Sequence, residues 1–297
     1  MIQIKNLYKK FGATDALKEI NAVIAPNSIF GLVGPNGSGK STLLRTLSGV
    51  YRPDDGEILI NGEAVFEHPL CKEKVFFVAD DPYFFGSGTL TDMRRFYKGL
   101  YQKWDDEKYK SLCKELSISR QEKVSNFSKG RQKQAALILA LSSGAEYLFF
   151  DEIFDGIDPL VMRKVKRLLI REVSEKGTSI IIASHNLKEI EQLCDHIGLL
   201  HNGRLLLQKE IDEIRSGIFH VQAAYSPFPS PEFFDTFHIL KSERHGSMIN
   251  LVIKGEKEDI LKRLDSINPI FLELLPLSLE EVFISEMEVA GYDDKSI

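Results

Sequence analysis

Residues 34 to 41 read Gly34-Pro35-Asn36-Gly37-Ser38-Gly39-Lys40-Ser41. The segment matches GxxxxGK[ST] in full and lies between an apolar run at 30–33 and a helical pattern that starts at Thr42. Glycines let backbone N–H groups converge on phosphate oxygens, and the helix N-terminus adds a positive end. In such a loop the lysine reaches the β- and γ-phosphates, and the serine ligates Mg²⁺. The stretch, with Thr42, therefore predicts the phosphate site of a nucleotide such as ATP.

Short runs that are apolar throughout surround this loop in the sequence. They occupy 30–33, 75–78, 147–150 and 180–183, with long helical stretches between them. Runs of this kind are typical of strands buried on both faces, so they predict a parallel α/β sheet. The segments 2–8, 17–24 and 57–60 are separated by turn signals and predict a second, largely antiparallel layer.

The length of 297 residues favours one large domain and one small domain. We expect the first domain at 1–217, with a helical subdomain at about 81–143 inserted between two sheet strands. The remainder, 218–297, predicts a small α+β domain with strands near 237–240 and 248–253. Its last helix should begin at Ser278, which has Glu281 at the capping-box spacing, and continue to Met287.

The composition limits the classes of partner and site that this chain is expected to have. A formal charge of -5 gives no broad attraction to nucleic acid or anionic lipid, so no nucleic acid partner is expected. The three cysteines form no CxxC pair, which disfavours a zinc site and fits a reducing cytosol. The segment Met1 to Lys5 alternates like a strand and does not resemble a signal peptide, and no run approaches the roughly 20 apolar residues of a membrane helix. We therefore expect a soluble chain.

A second motif places two carboxylates at the end of an apolar strand. Tyr147 to Phe150 is followed directly by Asp151 and Glu152, the Walker B arrangement. Asp151 should lie beside the phosphate loop and bind Mg²⁺ through water. Glu152 points elsewhere, towards the γ-phosphate, where a carboxylate can orient or deprotonate the attacking water. The first two motifs would also fit a GTPase, a kinase or other P-loop proteins.

A third motif distinguishes these classes. Residues 126 to 132 read Asn126-Phe127-Ser128-Lys129-Gly130-Arg131-Gln132 and open a predicted helix from Gln132 to Leu141. The segment resembles the LSGGQ signature of the ABC ATPases, in which two subunits sandwich two ATP molecules. The resemblance implies that Ser128 and Gly130 contact the γ-phosphate bound to a second subunit. Lys129 and Arg131 depart from the signature, and their charges either contact that phosphate or point to solvent.

Further positions match the family one by one. His185 follows a buried strand and matches the switch histidine at the γ-phosphate, which implies a catalytic role. Asp158 matches the D-loop aspartate at the subunit contact, although Ile153 stands where the family often has proline. Phe11 matches the aromatic residue that stacks on adenine, or it is simply a packing residue.

The clearest departure from the family lies after the strand at 75–78. The family has a glutamine there that contacts Mg²⁺ and senses the membrane domain, and Asp80 holds the matching position in this chain. A carboxylate can still bind the metal, whereas it has no amide with which to sense the membrane domain. The following Tyr83-Phe84-Phe85 cluster is either a socket for a permease helix or part of the core of the helical insertion.

The resemblance covers 1–217, and residues 275–283 look like the tail of ABC-2 type exporter ATPases of Gram-positive bacteria. It implies an ATPase that pairs with a second ATPase subunit, the same or different, and with integral-membrane permease subunits. The expected location is the cytoplasmic face of the membrane, through the permease. The expected direction is export, with import as the alternative because the permease sets the direction. One alternative is a soluble ABC ATPase outside transport, disfavoured because no second ATPase domain, zinc module or coiled coil is seen. A second alternative, a module that binds but does not hydrolyse, is disfavoured by Glu152 and His185.

Overall fold

The computed structural model describes residues 1–215, 217–276 and 278–283. The chain forms two compact units, Met1–Gln208 and the residues from Lys209 onward. The domain limit expected at 217 from the sequence remains a prediction.

The first unit contains the two sheets that the sequence predicts. The strands of these sheets, in chain order, are β1 (Ile2–Phe11), β2 (Thr14–Ile24), β3 (Ile29–Val33), β4 (Asp55–Ile60), β5 (Glu63–Ala64), β6 (Val75–Val78), β7 (Tyr147–Asp151), β8 (Ser179–Ser184), β9 (His196–His201) and β10 (Arg204–Glu210). The helices are α1 (Lys40–Leu47), α2 (Pro69–Lys72), α3 (Leu90–Leu100), α4 (Asp106–Glu115), α5 (Lys129–Ser142), α6 (Pro159–Lys176) and α7 (Leu187–Glu191).

The antiparallel layer has the strand order β2-β1-β4-β5. Strand β1 pairs antiparallel with β2 and with β4, which confirms the separate layer predicted for the start of the chain. The apolar side chains of this layer, such as Ile2 and Leu17, share one buried cluster with Leu44 of α1 and Phe149 of β7. The phosphate loop is therefore held between two layers that a common core joins.

The second sheet has the strand order β10-β9-β3-β8-β7-β6. Strand β3 runs parallel to β8 and β9, and β7 runs parallel to β6 and β8, as the buried apolar runs predicted. Every residue of β3, β7 and β8 is buried. Because parallel strands end at the same edge, the segments that follow Val33, Asp151 and Ser184 meet there.

The helical insertion lies between β6 and β7, which are neighbours in the sheet. Helix α3 begins with a capping box formed by Thr89 and Asp92. Helix α5 is buried throughout its second half, from Ala135 to Ser142, so it acts as the central helix of this region. It begins at Lys129, earlier than the predicted start at Gln132, because Ser128 accepts a hydrogen bond from the Arg131 amide and caps the helix.

The second unit is an α+β arrangement. Its elements are α8 (Ile211–Arg215), β11 (Ile218–Ala224), α9 (Pro231–Phe234), β12 (His238–His245), β13 (Met248–Lys254), α10 (Lys257–Asp265) and β14 (Phe271–Pro276). The strands form an antiparallel sheet in the order β12-β13-β11-β14. Strands β12 and β13 were predicted from the sequence, whereas β11 and β14 were missed.

The predicted capping box near the end of the chain is present. The Ser278 hydroxyl accepts a hydrogen bond from the Glu281 amide, and the Glu281 carboxylate accepts one from the Ser278 amide at 2.9 Å. The sequence predicted a helix as far as Met287, and the part of that prediction after residue 283 lies outside the described residues.

Candidate functional site

The phosphate loop turns tightly between β3 and α1. A Cβ atom at Gly34 would lie 2.1 Å from the Leu200 carbonyl oxygen, and Gly39 has a φ of 110° in the left-handed region. Glycine is therefore required at both positions, by a close backbone approach at the first and by conformation at the second. The Ser38 hydroxyl oxygen is buried and has no hydrogen-bond partner among the described residues. The loop thus presents an unused polar group, as a site for an external ligand does.

Lys40 is buried and lies across the loop. Its ammonium donates hydrogen bonds to the carbonyl oxygens of Gly34 at 2.7 Å and Pro35 at 3.1 Å, and it lies 3.7 Å from a carboxylate oxygen of Glu152. Burial lowers the pKa of Lys40, while the carboxylates of Glu152 and Asp151 act in the opposite direction. The lysine is therefore a desolvated cation at the loop, ready to exchange backbone oxygens for phosphate oxygens.

Asp151 ends β7 and is 1% exposed. Both of its carboxylate oxygens are buried, and no described residue donates a hydrogen bond to them. Burial raises the pKa of Asp151, and the neighbouring Ser41 hydroxyl opposes this rise without the geometry of a full hydrogen bond. A buried carboxylate with two unused oxygens is costly unless a cation completes it. The residues Asp151 and Ser41 therefore fit a hard divalent cation such as Mg²⁺.

Glu152 leaves the strand with a φ of 47°, in the left-handed region that is strained for a glutamate. Its amide donates to the Ala183 carbonyl oxygen at 2.9 Å. Its carboxylate lies 3.0 Å from His185 Nδ1 and accepts a hydrogen bond from the His185 amide. The sequence predicted that Glu152 and His185 act at the same phosphate, and the structure brings the two side chains into contact. Together with Asp155, they offer ligand atoms within 4.8 Å of one another.

The signature-like segment opens α5 at the surface. Ser128 and Lys129 are exposed, whereas Gly130 is buried. A Cβ atom at Gly130 would lie 2.1 Å from the Gly156 carbonyl oxygen, so only glycine fits there. Arg131 lies over the Phe127 ring, at 4.4 Å from its centroid, and 3.7 Å from Glu122. Of the two unexpected cations, Arg131 is therefore engaged within the chain, and Lys129 extends from the exposed helix start.

Asp158 and Phe11 make their described contacts outside the Lys40 and Glu152 cluster. Asp158 caps α6 by accepting a hydrogen bond from the Leu160 amide at 2.8 Å, a role that the sequence analysis did not assign. Phe11 is 43% exposed and meets Tyr51 edge-on, with 5.2 Å between the ring centroids. An exposed ring supported by a second aromatic side chain is available for stacking on a base.

Asp80, the residue at the position of the family glutamine, is bound to a partner that the sequence analysis missed. Its carboxylate accepts a hydrogen bond from Lys133 Nζ at 2.8 Å, and the same ammonium donates to the backbone carbonyl oxygen of Glu152. Lys133 is buried in α5. The sequence signal was a lysine next to the long apolar run of α5, where a cation must find partners.

The Tyr83 to Phe85 cluster is not simply core. The Tyr83 side chain is 77% exposed, and the Phe85 side chain is 37% exposed. Phe85 meets Phe96 edge-on, and Phe96 in turn meets Tyr97. The cluster is thus the exposed end of an aromatic row that continues into the helical insertion. No helix in the described part of the chain combines the length and the apolar composition that a membrane crossing requires.

Comparisons with known proteins agree with this geometry. A family model described as ABC transporter matches residues 17–155. The ABC transporter ATP-binding protein YtrB of Bacillus subtilis is 30% identical over 286 residues, which cover 96% of this chain and 98% of YtrB. The bacitracin transport ATP-binding protein BcrA of Bacillus licheniformis is 29% identical over 219 residues, which cover 72% of this chain and 71% of BcrA.

Solved structures show the same fold. The structure of an ATP-binding subunit of an ABC transporter superposes with a TM-score of 0.67 at 26% identity, covering 72% of this chain and 92% of that one. A dimeric ATP-binding cassette, MJ0796 bound to ADP and Pi, superposes with a TM-score of 0.65 at 21% identity, covering 71% and 99%. The phosphate loop, the paired carboxylates and a relative matched along almost its whole length lead to one conclusion: the chain belongs to the family of ABC transporter ATP-binding proteins.

Proposed function

We propose that this chain binds ATP with Mg²⁺ and hydrolyses it to power an ABC transporter, most directly an exporter. The observation that carries the proposal is the contact between Glu152, His185 and Lys40 at the edge of the parallel sheet. A carboxylate at that edge, next to a lysine that can hold phosphate oxygens, is suited to accept a proton from a water molecule in line with the γ-phosphate.

Each residue of the cluster has a separate task. Lys40 and the backbone amides of the phosphate loop bind the phosphates, with Ser38 and Thr42 at the loop and the helix start. Ser41 and Asp151 are the candidates to hold Mg²⁺, which would neutralise charge on the phosphate oxygens when bound, whereas Asp80, the third metal candidate from the sequence, is paired with Lys133. Glu152 holds the proton that leaves the attacking water, and His185 orients Glu152 through the 3.0 Å contact. Phe11 stacks on the adenine.

Pairing of two subunits follows from what the surface offers. Ser128 and Lys129 are exposed at the start of α5, and Asp158 is exposed at the start of α6. A helix N-terminus with free amide groups suits an anion supplied by another molecule. We therefore assign Ser128 and Gly130 to the γ-phosphate held by a second ATPase subunit, identical or different, and Asp158 to the contact between the subunits.

Coupling to a membrane rests on the exposed aromatic cluster and on the relatives. Tyr83 projects from the loop that also carries Asp80, so a permease segment bound there would move that loop. The bacitracin transport protein BcrA supports a transport role, and the resemblance of residues 275–283 to exporter tails supports export. The chain would then lie at the cytoplasmic face of the membrane and bind it only through its permease.

Two matched variants test hydrolysis. We expect Lys40→Ala to lose most ATP affinity, because the charge at the phosphates is gone. Glu152→Gln should keep ATP affinity, lower the rate of hydrolysis by about 100-fold or more, and accumulate an ATP-bound dimer on size exclusion. Equal turnover in Glu152→Gln and the parent protein would remove this residue from the role of base.

A sedimentation experiment tests the membrane assignment. The purified chain should remain in the supernatant with protein-free liposomes and sediment with membranes only when a permease is co-expressed. Binding to liposomes without permease would contradict the proposed partner, and so would failure to sediment with any permease encoded beside the gene.

A further inference from the structure

Lys133 is a buried cation that links three separate parts of the first unit. It lies in α5, and its ammonium donates one hydrogen bond to the Asp80 carboxylate and one to the Glu152 carbonyl oxygen. Asp80 follows β6, and Glu152 follows β7. A buried ammonium must be paired to be tolerated, so neither bond is incidental.

The bond to Glu152 acts on the backbone of the proposed base. Glu152 has a φ of 47°, a conformation that persists only where surrounding contacts enforce it. Its amide donates to the Ala183 carbonyl oxygen, and its carbonyl oxygen accepts from Lys133 and also from the Asp155 amide at 3.2 Å. With both peptide groups fixed, the side chain is directed towards His185 Nδ1 and Lys40. Lys133 therefore helps to set where the carboxylate points.

The two side chains of the ion pair between Lys133 and Asp80 differ in their exposure to solvent. The Lys133 side chain is 5% exposed, whereas the Asp80 side chain is 60% exposed. Water can replace Lys133 as the partner of the Asp80 carboxylate, but no solvent is available to replace Asp80 as the partner of the ammonium. A shift of the loop that carries Asp80 would therefore be felt at Lys133, and through it at Glu152.

The charges around the pair leave Lys133 in a mostly acidic setting. Asp80, Asp81, Asp155 and Lys129 line the same cavity of about 260 Å³ beside Lys133. Lys129 is exposed at the helix start, so Lys133 is the buried cation among these groups. Pro82 also lines this cavity, and Tyr83, which is 77% exposed, follows it in the loop after β6.

We propose that Lys133 is a positioning residue for the proposed base, and that Asp80 acts through Lys133 to couple movement of the loop after β6 to hydrolysis. This inference rests on the proposed function and adds its regulation. It replaces sensing by a side-chain amide with an ion pair whose buried end touches the backbone of the base. In this arrangement Asp80 is the counterion of Lys133 in the nucleotide-free chain.

The test is a double-mutant cycle on the full chain, with Lys133→Met, Lys133→Arg, Asp80→Asn and the double variant Asp80→Asn with Lys133→Met. Lys133→Met should lower kcat by roughly tenfold to a hundredfold, because a misplaced catalytic group costs this much, while ATP affinity stays within about twofold. Asp80→Asn should lower kcat by roughly threefold, since its side of the pair is exposed. In the double variant kcat should equal that of Lys133→Met, and Lys133→Arg should recover part of the loss.

A control comes from another lysine ion pair in the same unit, in which Lys108 is partly buried and Glu172 is buried. Lys108 donates to Glu172, away from the phosphate loop. Lys108→Met should lower the melting temperature, as Lys133→Met does, but leave kcat unchanged. Thermal unfolding without nucleotide is measured for the parent, Lys133→Met, Asp80→Asn and the double variant. The losses in stability should also be non-additive, which reports the ion pair independently of hydrolysis.

Three results would overturn the inference. The first is a parental kcat in Lys133→Met or, should that variant fail to fold, in both Lys133→Arg and Asp80→Asn. The second is additive loss in the double variant. The third is a higher Mg²⁺ requirement in Asp80→Asn whether or not Lys133 is present, which would make Asp80 a metal ligand in its own right. The proposed function fails separately, through full turnover in Glu152→Gln.

Discussion

The phosphate loop and the start of α5 are both assigned to phosphate, yet the chain treats them differently. At the loop, Lys40 is buried and already bonded to the carbonyl oxygens of Gly34 and Pro35. At the start of α5, Ser128 and Lys129 are exposed to solvent. The loop holds buried polar groups that a bound ligand can satisfy, whereas the helix start is a surface that only a second molecule can complete. One chain therefore carries two incomplete halves of different sites.

The difference has an electrostatic side. The loop contains a desolvated lysine beside a carboxylate with unused oxygens, Asp151, so charge is concentrated there before any ligand binds. At the helix start, Arg131 is stacked on Phe127 and only Lys129 extends outward. Exposed charges are screened by salt and contribute little. We therefore expect changes at the loop to affect binding, and changes at the helix start to affect pairing.

The largest expected effect comes from a single substitution at the start of α5. Gly130→Asp should abolish hydrolysis and leave ATP binding to the monomer intact, because a side chain at this position would collide with the Gly156 carbonyl oxygen. Turnover and nucleotide titration of the monomer measure the two halves separately. Gly37→Ala makes the corresponding change in the phosphate loop, where we expect ATP binding to weaken. A Cβ there meets open space, but the φ of 80° disfavours alanine. Undiminished turnover in Gly130→Asp would remove this segment from the signature role.

An intermediate effect separates the two cations at the helix start. Lys129→Gly with Arg131→Gln should give a working ATPase whose ATP-driven dimerisation is weaker. The structure assigns most of this loss to Lys129→Gly alone, roughly threefold at low salt, because Arg131 is occupied by Phe127 and Glu122.

Dimer formation measured against ATP concentration for each single variant checks this division. Arg131→Gln should instead lower the melting temperature slightly. If both single variants dimerise as the parent does, the two cations are surface charges, and charge at the helix start does not contribute to pairing.

The smallest expected effect concerns the buried carboxyl beside the phosphate loop. Burial raises the pKa of Asp151, so ionising this carboxyl in the nucleotide-free protein costs stability at neutral pH. Asp151→Asn should therefore raise the melting temperature of the metal-free chain by about 2 to 4 °C, as a change near 1 kcal/mol does.

The pH dependence has a definite sign. As the pH falls through the raised pKa, the parental carboxyl becomes neutral and its penalty disappears, so the gain of Asp151→Asn should shrink in acid. Thermal unfolding from pH 7 downward measures it. A gain that grows in acid would mean that the carboxylate is stabilised in the folded chain.

Local motifs made the loop and the sheet edge predictable. The glycine spacing of residues 34 to 41 and the apolar strands before Asp151 and His185 depend on neighbours in sequence, and parallel pairing then brings their ends together. The short turn signals also located β1, β2 and β4. These features require no knowledge of distant contacts.

Contacts between distant residues were not predictable in the same way. Lys133 meets Asp80 and the carbonyl of Glu152 across the fold, and no spacing rule relates these positions. The resemblance implied that Gly130 contacts a phosphate, and the structure shows a reason inside the chain why glycine is needed there, the backbone of Gly156. Strand β11 does alternate, with Phe219, Val221 and Ala223 buried, so here the sequence carried a local signal that was missed.

The contact between Gly130 and Gly156 also bears on timing. The backbones of Gly130 and Gly156 approach each other with no side chain between them, so we expect the start of α5 and the turn before α6 to move together. A partner that closes on Ser128 then meets the segment with Asp158 in the same encounter. In rapid mixing with ATP, we expect the formation of subunit pairs to follow a single kinetic phase, because the two segments reach the partner in one movement.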